Sequence, residues 1–250
     1  MNWHERYVHQ AAWTQELRRY VFERCGWRTA HSTLEVGCGT GGILQDPAAS
    51  GHGARPGLQL HGLDIDPTAL RECCEHAPTA CLTCGDATAL PYPSENFNIT
   101  YCHFLLLWVR QPIRALQEMQ RVTVRSGYVL ALAEPDYGAR LDRPTELAWL
   151  GQRQNAALER KGAALRRGAE LRSLFQEAGI RLIESGAIHR AEGTPPSLGD
   201  WDSEWQVLES DLAGTIDADE MKEVRDRYQD AWLAGRGMLS VPTYFAWGQV

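Results

Sequence analysis

The 250-residue chain predicts an α/β fold: a doubly wound, mostly parallel, seven-stranded sheet of the Rossmann-like kind, with helical cap elements. Three observations point there. Strand and helix patterns alternate through the first 135 residues, as a parallel sheet with crossover helices requires. A short apolar run at 33–36 breaks directly into Gly37-Cys38-Gly39-Thr40-Gly41-Gly42, the strand-to-helix turn that such sheets use at their ligand crevice. Two further strand patterns, 180–188 and 242–250, follow helical stretches and complete the seven.

The elements follow in order. Residues 3–24 read as one amphipathic helix, with Trp13, Leu17, Tyr20 and Val21 at i, i+4, i+7 and i+8, and Gly26 ends it. The strand at 58–63 runs to Asp64; Asp66 as N-cap and Pro67 at the first helical position then open a helix through about His76. A short strand at 81–84 ends in Gly85-Asp86, and the turn-rich Pro91-Tyr92-Pro93-Ser94 leads into a strand at 97–104. Ile113, Leu116 and Met119 mark the next helix. The strand at 128–133 closes on Glu134-Pro135-Asp136-Tyr137.

The second half is organised differently. A polar-faced helix spans 143–161. Leu171, Leu174, Phe175 and Ala178 form a helical stripe that Gly179 caps. After the sixth strand comes a loop at 192–199 with Pro195-Pro196, then helices in which Met221, Val224, Tyr228 and Trp232 share a face. The expected organisation is a single domain, 1–250. Its core is 30–190 plus the final strand 241–250, and its cap elements are 1–26, 138–165 and 192–239.

Composition narrows the function classes. Net charge is −7, from 25 basic and 32 acidic residues. The densest basic group, Arg160, Lys161, Arg166 and Arg167, reads as one solvated helix face. A nucleic-acid partner is therefore disfavoured, because gripping a phosphate backbone needs a basic surface. No apolar window is long enough to span a membrane, and residues 1–24 do not resemble a signal peptide, so a cytoplasmic protein is expected. The seven cysteines are an odd number and do not suggest a disulfide framework. Cys81 and Cys84 have C-x-x-C spacing without a second pair, and read as buried or half-buried thiols. No metal is expected, and the oligomeric state stays open.

The glycine stretch carries the chemistry. Gly37-x-Gly39-x-x-Gly42 lets the backbone turn sharply and approach a ligand with no Cβ in the way, while the next helix presents unpaired N–H groups. Alone, this pattern suits a dinucleotide enzyme as well, with Asp64 placed to hold a ribose hydroxyl pair.

The surrounding residues separate these readings. Leu34-Glu35-Val36-Gly37-Cys38-Gly39-Thr40-Gly41 resembles the first signature of class I S-adenosylmethionine-dependent methyltransferases, of the type 11 kind. Gly62-Leu63-Asp64-Ile65-Asp66 is similar to the second. Gly85-Asp86-Ala87-x-x-Leu90-Pro91-Tyr92-Pro93 with Phe97 resembles the third, and Glu118-Met119-x-Arg121-Val122 before the strand to Glu134-Pro135 the fourth. The resemblance covers 32–135 and implies S-adenosylmethionine as cofactor. Its implied ligands are Glu35, the loop Gly37, Cys38 and Gly39, Asp64 for the ribose, and Ile65, Asp86 and Ala87 for adenine; His103, at the mouth of the pocket by its place at the end of the fourth strand, is a further cofactor-binding candidate. One departure stands out: the family's Phe-Asp is Phe97-Asn98 here, which puts a degenerate member among the alternatives.

Methyl transfer from a sulfonium is an in-line displacement, so a protein contributes mostly position and desolvation. A base is needed only where the acceptor must lose a proton. The candidates are His103, Glu134, Asp136 and Tyr137, with His103, Asp136 and Tyr137 taken as the catalytic set. His189 and Trp108 read as surface and packing residues. The cap elements should enclose the acceptor, with Trp201, Trp205 and Trp232 as core or as lining. The expected activity is methylation of a small molecule. A non-catalytic cofactor-binding scaffold and a nicotinamide-dependent oxidoreductase are the alternatives.

Overall fold

The computed structural model describes residues 3–48, 55–188 and 198–250. The chain runs α1 (Trp3–Trp13), α2 (Gln15–Arg24), β1 (Ser32–Val36), β2 (Gln59–Asp64), α3 (Pro67–His76), β3 (Cys81–Cys84), β4 (Phe97–Cys102), α4 (Pro112–Val122), β5 (Thr123–Pro135), β6 (Leu141–Arg143), α5 (Ala148–Arg160), α6 (Arg167–Glu177), β7 (Arg181–Ile188), α7 (Leu198–Leu212), α8 (Ala218–Leu233), β8 (Met238–Ser240) and β9 (Thr243–Gln249). The main sheet has seven strands in the order β3-β2-β1-β4-β5-β9-β7. The first five are parallel, and β9 runs antiparallel to both of its neighbours. This is the doubly wound, mostly parallel sheet that the alternating pattern predicts.

Both faces of the sheet are covered, and β5, an interior strand, accordingly carries a continuous apolar run from Tyr128 to Ala133. Along β5, Val129 and Ala131 face the layer holding Leu116, Met119, Leu171 and Phe175. Leu130 and Leu132 face the opposite layer, with Val21, Phe22, Leu70 and Cys73. That is the period-two alternation of a strand buried on both sides. Asp66 caps α3, its side chain accepting from the Thr68 N–H at 2.7 Å.

Three expectations are corrected. Residues 3–24 are two helices, because the backbone leaves the helical ladder at Thr14, whose hydroxyl donates to the Ala11 carbonyl at 3.1 Å. The buried stripe is Ala11, Thr14, Arg18, Val21, Phe22 and Cys25, while Trp13 and Tyr20 are exposed. Cys81 and Cys84 are exposed, since β3 is the edge of the sheet. The third correction is an addition: β6 and β8 pair as a small antiparallel ribbon, missed because three-residue strands carry no readable alternation.

The cap segments pack on one another. Trp201, Trp205, Val224, Tyr228 and Trp232 join Leu147 and Leu150 in a separate apolar cluster. Trp201 and Trp232 are thus core of this layer. The loop at 192–199 and His189 lie wholly or largely outside the described residues.

Candidate active site

The order of strands reverses between β1 and β4, and the carboxyl ends beside that point form the crevice where open α/β sheets hold ligands. The glycine loop leaves β1 there. Gly37, Gly39 and Gly41 have φ of 77°, 51° and 83°, the left-handed region that glycine enters freely. The N–H groups of Gly37 and Cys38 both donate to the Leu63 carbonyl, at 2.7 and 3.0 Å, binding the turn to the end of β2.

Asp64 sits where β2 ends. Its Oδ2 accepts from the Gly39 N–H at 2.7 Å and its Oδ1 from the Asp66 N–H at 2.9 Å. Each oxygen therefore holds one amide and keeps a second lone-pair site, the arrangement a vicinal diol can bridge. Beside it Ile65 is 70% exposed, a large apolar surface at the rim. Asp86, past the end of β3, is exposed; its Oδ1 takes the Thr88 N–H and hydroxyl at 2.7 and 2.8 Å, which leaves Oδ2 for an outside donor. Ala87 is buried behind it. The ends of β2 and β3 thus present open acceptor positions on Asp64 and Asp86 and an exposed apolar side chain, Ile65.

Glu35 stands one residue before the end of β1. It is buried within the protein, with the Tyr101 hydroxyl donating to it at 3.3 Å. Burial lifts its pKa well above the ordinary carboxylate range, against the pull of Tyr101 and Arg18. The carboxyl thus sits in the interior, next to the glycine loop that follows β1.

His103, just after β4, touches the N-terminal helices. Its Nε2 is 2.9 Å from the Thr14 hydroxyl oxygen, which also accepts from Arg18 Nη1 at 2.8 Å. Arg18 donates as well to the Ala11 carbonyl at 2.6 Å. Burial, and next the Arg18 charge, push the His103 pKa down to about 3. The imidazole is neutral at physiological pH and a weak base. Thr14 and Arg18 are neighbours of the candidate His103 that a sequence reading misses. A charged residue at the i+7 position from Ala11, on the stripe that continues to Val21 and Cys25, was the available signal.

Helix α1 closes over the glycine loop. A Cβ built on Gly39 would lie 3.5 Å from the Tyr7 ring, and one on Gly42 would lie 3.0 Å from Tyr7 Cβ. Burial, then the Asp64 charge, raise the Tyr7 pKa. His4 Nδ1 lies 3.0 Å from the Thr40 hydroxyl. The N-terminal helices, expected on the acceptor side, thus pack on the loop that would hold a cofactor.

On the other side of the crevice Glu134 ends β5 fully buried. It accepts from the N–H groups of Leu105, Leu106 and Leu107 at 2.9, 2.8 and 3.1 Å. Burial lifts its pKa to about 7, with the three amides pulling the other way. Both oxygens are occupied in fixing the turn after β4, where Phe104 adopts φ of 54°. Asp136 is buried and accepts from the Ala139 N–H at 3.2 Å. Tyr137 packs near Phe104, Leu107 and Leu158, and burial pushes its pKa up to about 12, so its hydroxyl stays protonated. Trp108 is 45% exposed, contrary to a packing role. Farther out, Arg140 pairs with Asp142 at 2.8 Å in a narrow cleft shared with Glu204, Trp205 and Tyr228.

Known proteins are similar to this chain in sequence and in fold. Residues 34–131 match the family model described as a methyltransferase domain. The chain is 30% identical over 136 residues to a malonyl-acyl-carrier-protein O-methyltransferase of Halorhodospira halophila, covering 50% of this chain and 43% of that one. It is 32% identical over 127 residues to a demethylmenaquinone methyltransferase of Renibacterium salmoninarum, covering 50% and 51%. The chain therefore spans about half the length of these curated relatives. Among solved structures, geranyl diphosphate methyltransferase in complex with S-adenosylmethionine superposes with a TM-score of 0.57 at 12% identity, covering 94% of this chain and 85% of that one. At that identity the likeness is one of fold. Among the described residues, no helix is long and apolar enough to cross a membrane.

Proposed function

We propose that this chain, whose residues 34–131 match the family model of a methyltransferase domain, is a class I S-adenosylmethionine-dependent enzyme that moves a methyl group to a small-molecule acceptor by in-line displacement. The observation that carries the proposal is the pairing of the glycine loop with Asp64 at the strand-order reversal. S-adenosylmethionine, the cofactor of this family, supplies a methyl group already activated on a sulfonium.

The chain's own residues divide the remaining work. Gly37, Cys38 and Gly39 offer backbone that a ligand can approach closely, while Asp64 accepts from ribose hydroxyls. Ile65 covers one adenine face, with Asp86 and Ala87 at the ring edge. Glu35 supports the loop from below. His103, held neutral and tied to Thr14, orients what lies between cofactor and acceptor and presents no cation to repel a sulfonium. Tyr137, held protonated, donates a hydrogen bond to the acceptor, and Asp136 fixes the turn that carries it. No strong base is required when the acceptor is already an anion or a free amine. A small acceptor is supported by the relatives' names, which denote a carrier-bound acid and a quinone. The acidic net charge of −7 weighs against a nucleic-acid acceptor.

The test is calorimetric titration of the purified chain with S-adenosylmethionine and its demethylated product, followed by a panel of carboxylic acids, phenols, quinols and amines. Binding of both ligands and turnover of a panel member are expected. Binding of a nicotinamide dinucleotide in their place would overturn the reading. Binding without turnover across the panel would support the non-catalytic scaffold instead.

A further inference from the structure

We propose that His4, Glu72 and His76 form a binding site for a divalent transition-metal ion, zinc being the best match, that clasps helix α1 onto helix α3. One potential ligand atom from each residue lies within 4.8 Å of the other two. Glu72 and His76 stand four residues apart on α3, hence on one face, and His4 reaches them from α1. The group is half-buried, between the two helices and the glycine loop.

Two further observations point to an ion, and the ring contact sets how it would be reached. The His4 and His76 rings are stacked with centroids 3.3 Å apart and planes 5° from parallel. The in-plane lone pairs of parallel rings do not converge, so a shared ion requires one imidazole to turn out of this stack about its side-chain torsions. His76 Nδ1 is shut off from solvent and has no hydrogen-bond partner, and a buried ring nitrogen left unpaired costs free energy. His4 Nδ1 is engaged with the Thr40 hydroxyl at 3.0 Å. Metal-bound histidines commonly make such a contact through the second nitrogen, which fixes tautomer and ring orientation. Two imidazoles and a carboxylate match zinc with a fourth position left to water, and do not match magnesium or calcium, which prefer all-oxygen sets.

The clasp also answers a question of energetics. Helix α1 has a single buried residue, Ala11, so apolar burial holds it weakly on the body of the protein. Yet α1 places Tyr7 over Gly39 and Gly42. An ion shared between His4 and α3 would hold that cover in place. This last step, from clasp to cofactor retention, rests on the function proposed above; the metal site itself does not.

Full-length protein stripped with a chelator and kept reduced is titrated with zinc chloride by calorimetry. One equivalent is expected, and His4→Ala or His76→Ala should each weaken binding at least about tenfold. Cys74, Cys81 and Cys84 are exposed and are the obvious competitors, so the same titration uses the Cys81→Ser/Cys84→Ser double variant and cobalt(II) as an optical probe. Retained affinity in that variant, with no thiolate charge-transfer band, supports the site. Binding that survives loss of either histidine, or that disappears with the cysteines, overturns it. Trypsin adds a direct measure of the clasp: zinc should slow cleavage after Arg6 in the parent protein and not in His4→Ala, and equal cleavage in both would overturn the clasp. All of these measurements are made without S-adenosylmethionine, so failure of the metal site and failure of the functional reading remain distinguishable.

Discussion

The Gly39 N–H donates to Asp64 Oδ2 at 2.7 Å, so the glycine loop and the carboxylate proposed to hold ribose are one preassembled unit. Removing the carboxylate takes away the ligand's partner and loosens the loop at once. Hydrogen bonds to a charged group contribute about 1.5–3 kcal/mol each. Asp64→Ala is expected to weaken binding of the demethylated cofactor product at least about a hundredfold by calorimetry, if two ribose bonds are lost. Asp64→Asn, which keeps one acceptor oxygen, should fall between. Unchanged affinity in Asp64→Ala would place the ribose elsewhere.

His103 makes stability depend on pH in a defined direction. Burial and Arg18 lower its folded pKa from 6.5 to about 3. Between those values the unfolded chain binds a proton that the folded chain does not. The contribution is complete above pH 6.5 and is lost as pH falls toward 3, at about 1.4 kcal/mol per pH unit. Glu134, raised from 4.5 to about 7, acts with the opposite sign, so the test is a difference. Urea unfolding of the parent and of His103→Gln between pH 5 and pH 7 should show the parent losing about 2 kcal/mol more than the variant toward the acid end. Parallel curves would mean that His103 takes up its proton in the folded protein.

Glu134 predicts a stability loss unrelated to chemistry at the crevice. Its side chain satisfies three amides, those of Leu105, Leu106 and Leu107, and a buried amide without a partner costs about 1–3 kcal/mol. Glu134→Ala is expected to destabilise by about 3–5 kcal/mol in urea, allowing for partial access of water. Glu134→Gln should cost less, since its carbonyl oxygen can still serve the Leu105 and Leu106 amides. A near-neutral Glu134→Ala would show that the turn after β4 rebuilds without it.

Asn98, the departure from the family's Phe-Asp, has a structural reading. Its Oδ1 accepts from the N–H groups of His31 at 2.7 Å and Ser32 at 3.1 Å, fastening the entry to β1. An aspartate offers the same oxygen. Asn98→Asp should leave cofactor affinity within about twofold, and Asn98→Ala should cost about 1–2 kcal/mol of stability. A large gain of affinity in Asn98→Asp would instead support a degenerate site.

What could be read from the sequence follows local physics. The Asp66-Pro67 helix start and the glycine loop are set by a few neighbouring residues, and they stand where the pattern puts them. Glu118 and Arg121 were legible only as part of a resemblance. Their role depends on distance in space: Glu118 accepts the Leu90 N–H at 2.9 Å while Arg121 binds the carbonyls of Leu90 and Tyr92 at 3.0 and 2.9 Å. The stripe in residues 3–24 failed for a related reason. Large aromatic side chains suggested the buried face, but the tertiary contact chosen was Thr14 and Arg18 against His103, a polar docking that hydrophobic periodicity cannot detect.

Gly151 offers a way to separate cap from core. It lies in α5, where a Cβ would collide with Asp142 Oδ2 and come within 2.6 Å of Arg140 Nε. Those two side chains form a nearly buried ion pair at 2.8 Å, and Arg140 reaches on to Gln154. An added methyl must displace the pair or push α5 away from β6, and overpacking of this kind costs about 1–3 kcal/mol. Glycine in a helix is otherwise about 1 kcal/mol worse than alanine, so on an open face Gly151→Ala would stabilise. Here the clash outweighs that gain and the sign reverses. The displaced groups belong to the cap cleft with Trp205 and Tyr228, whereas Asp64 and the glycine loop lie on the sheet. Gly151→Ala is therefore expected to lower thermal stability and raise the acceptor KM, with affinity for the demethylated cofactor product unchanged within about twofold. A variant more stable than the parent would show that α5 stands farther from the Arg140–Asp142 pair than this packing requires.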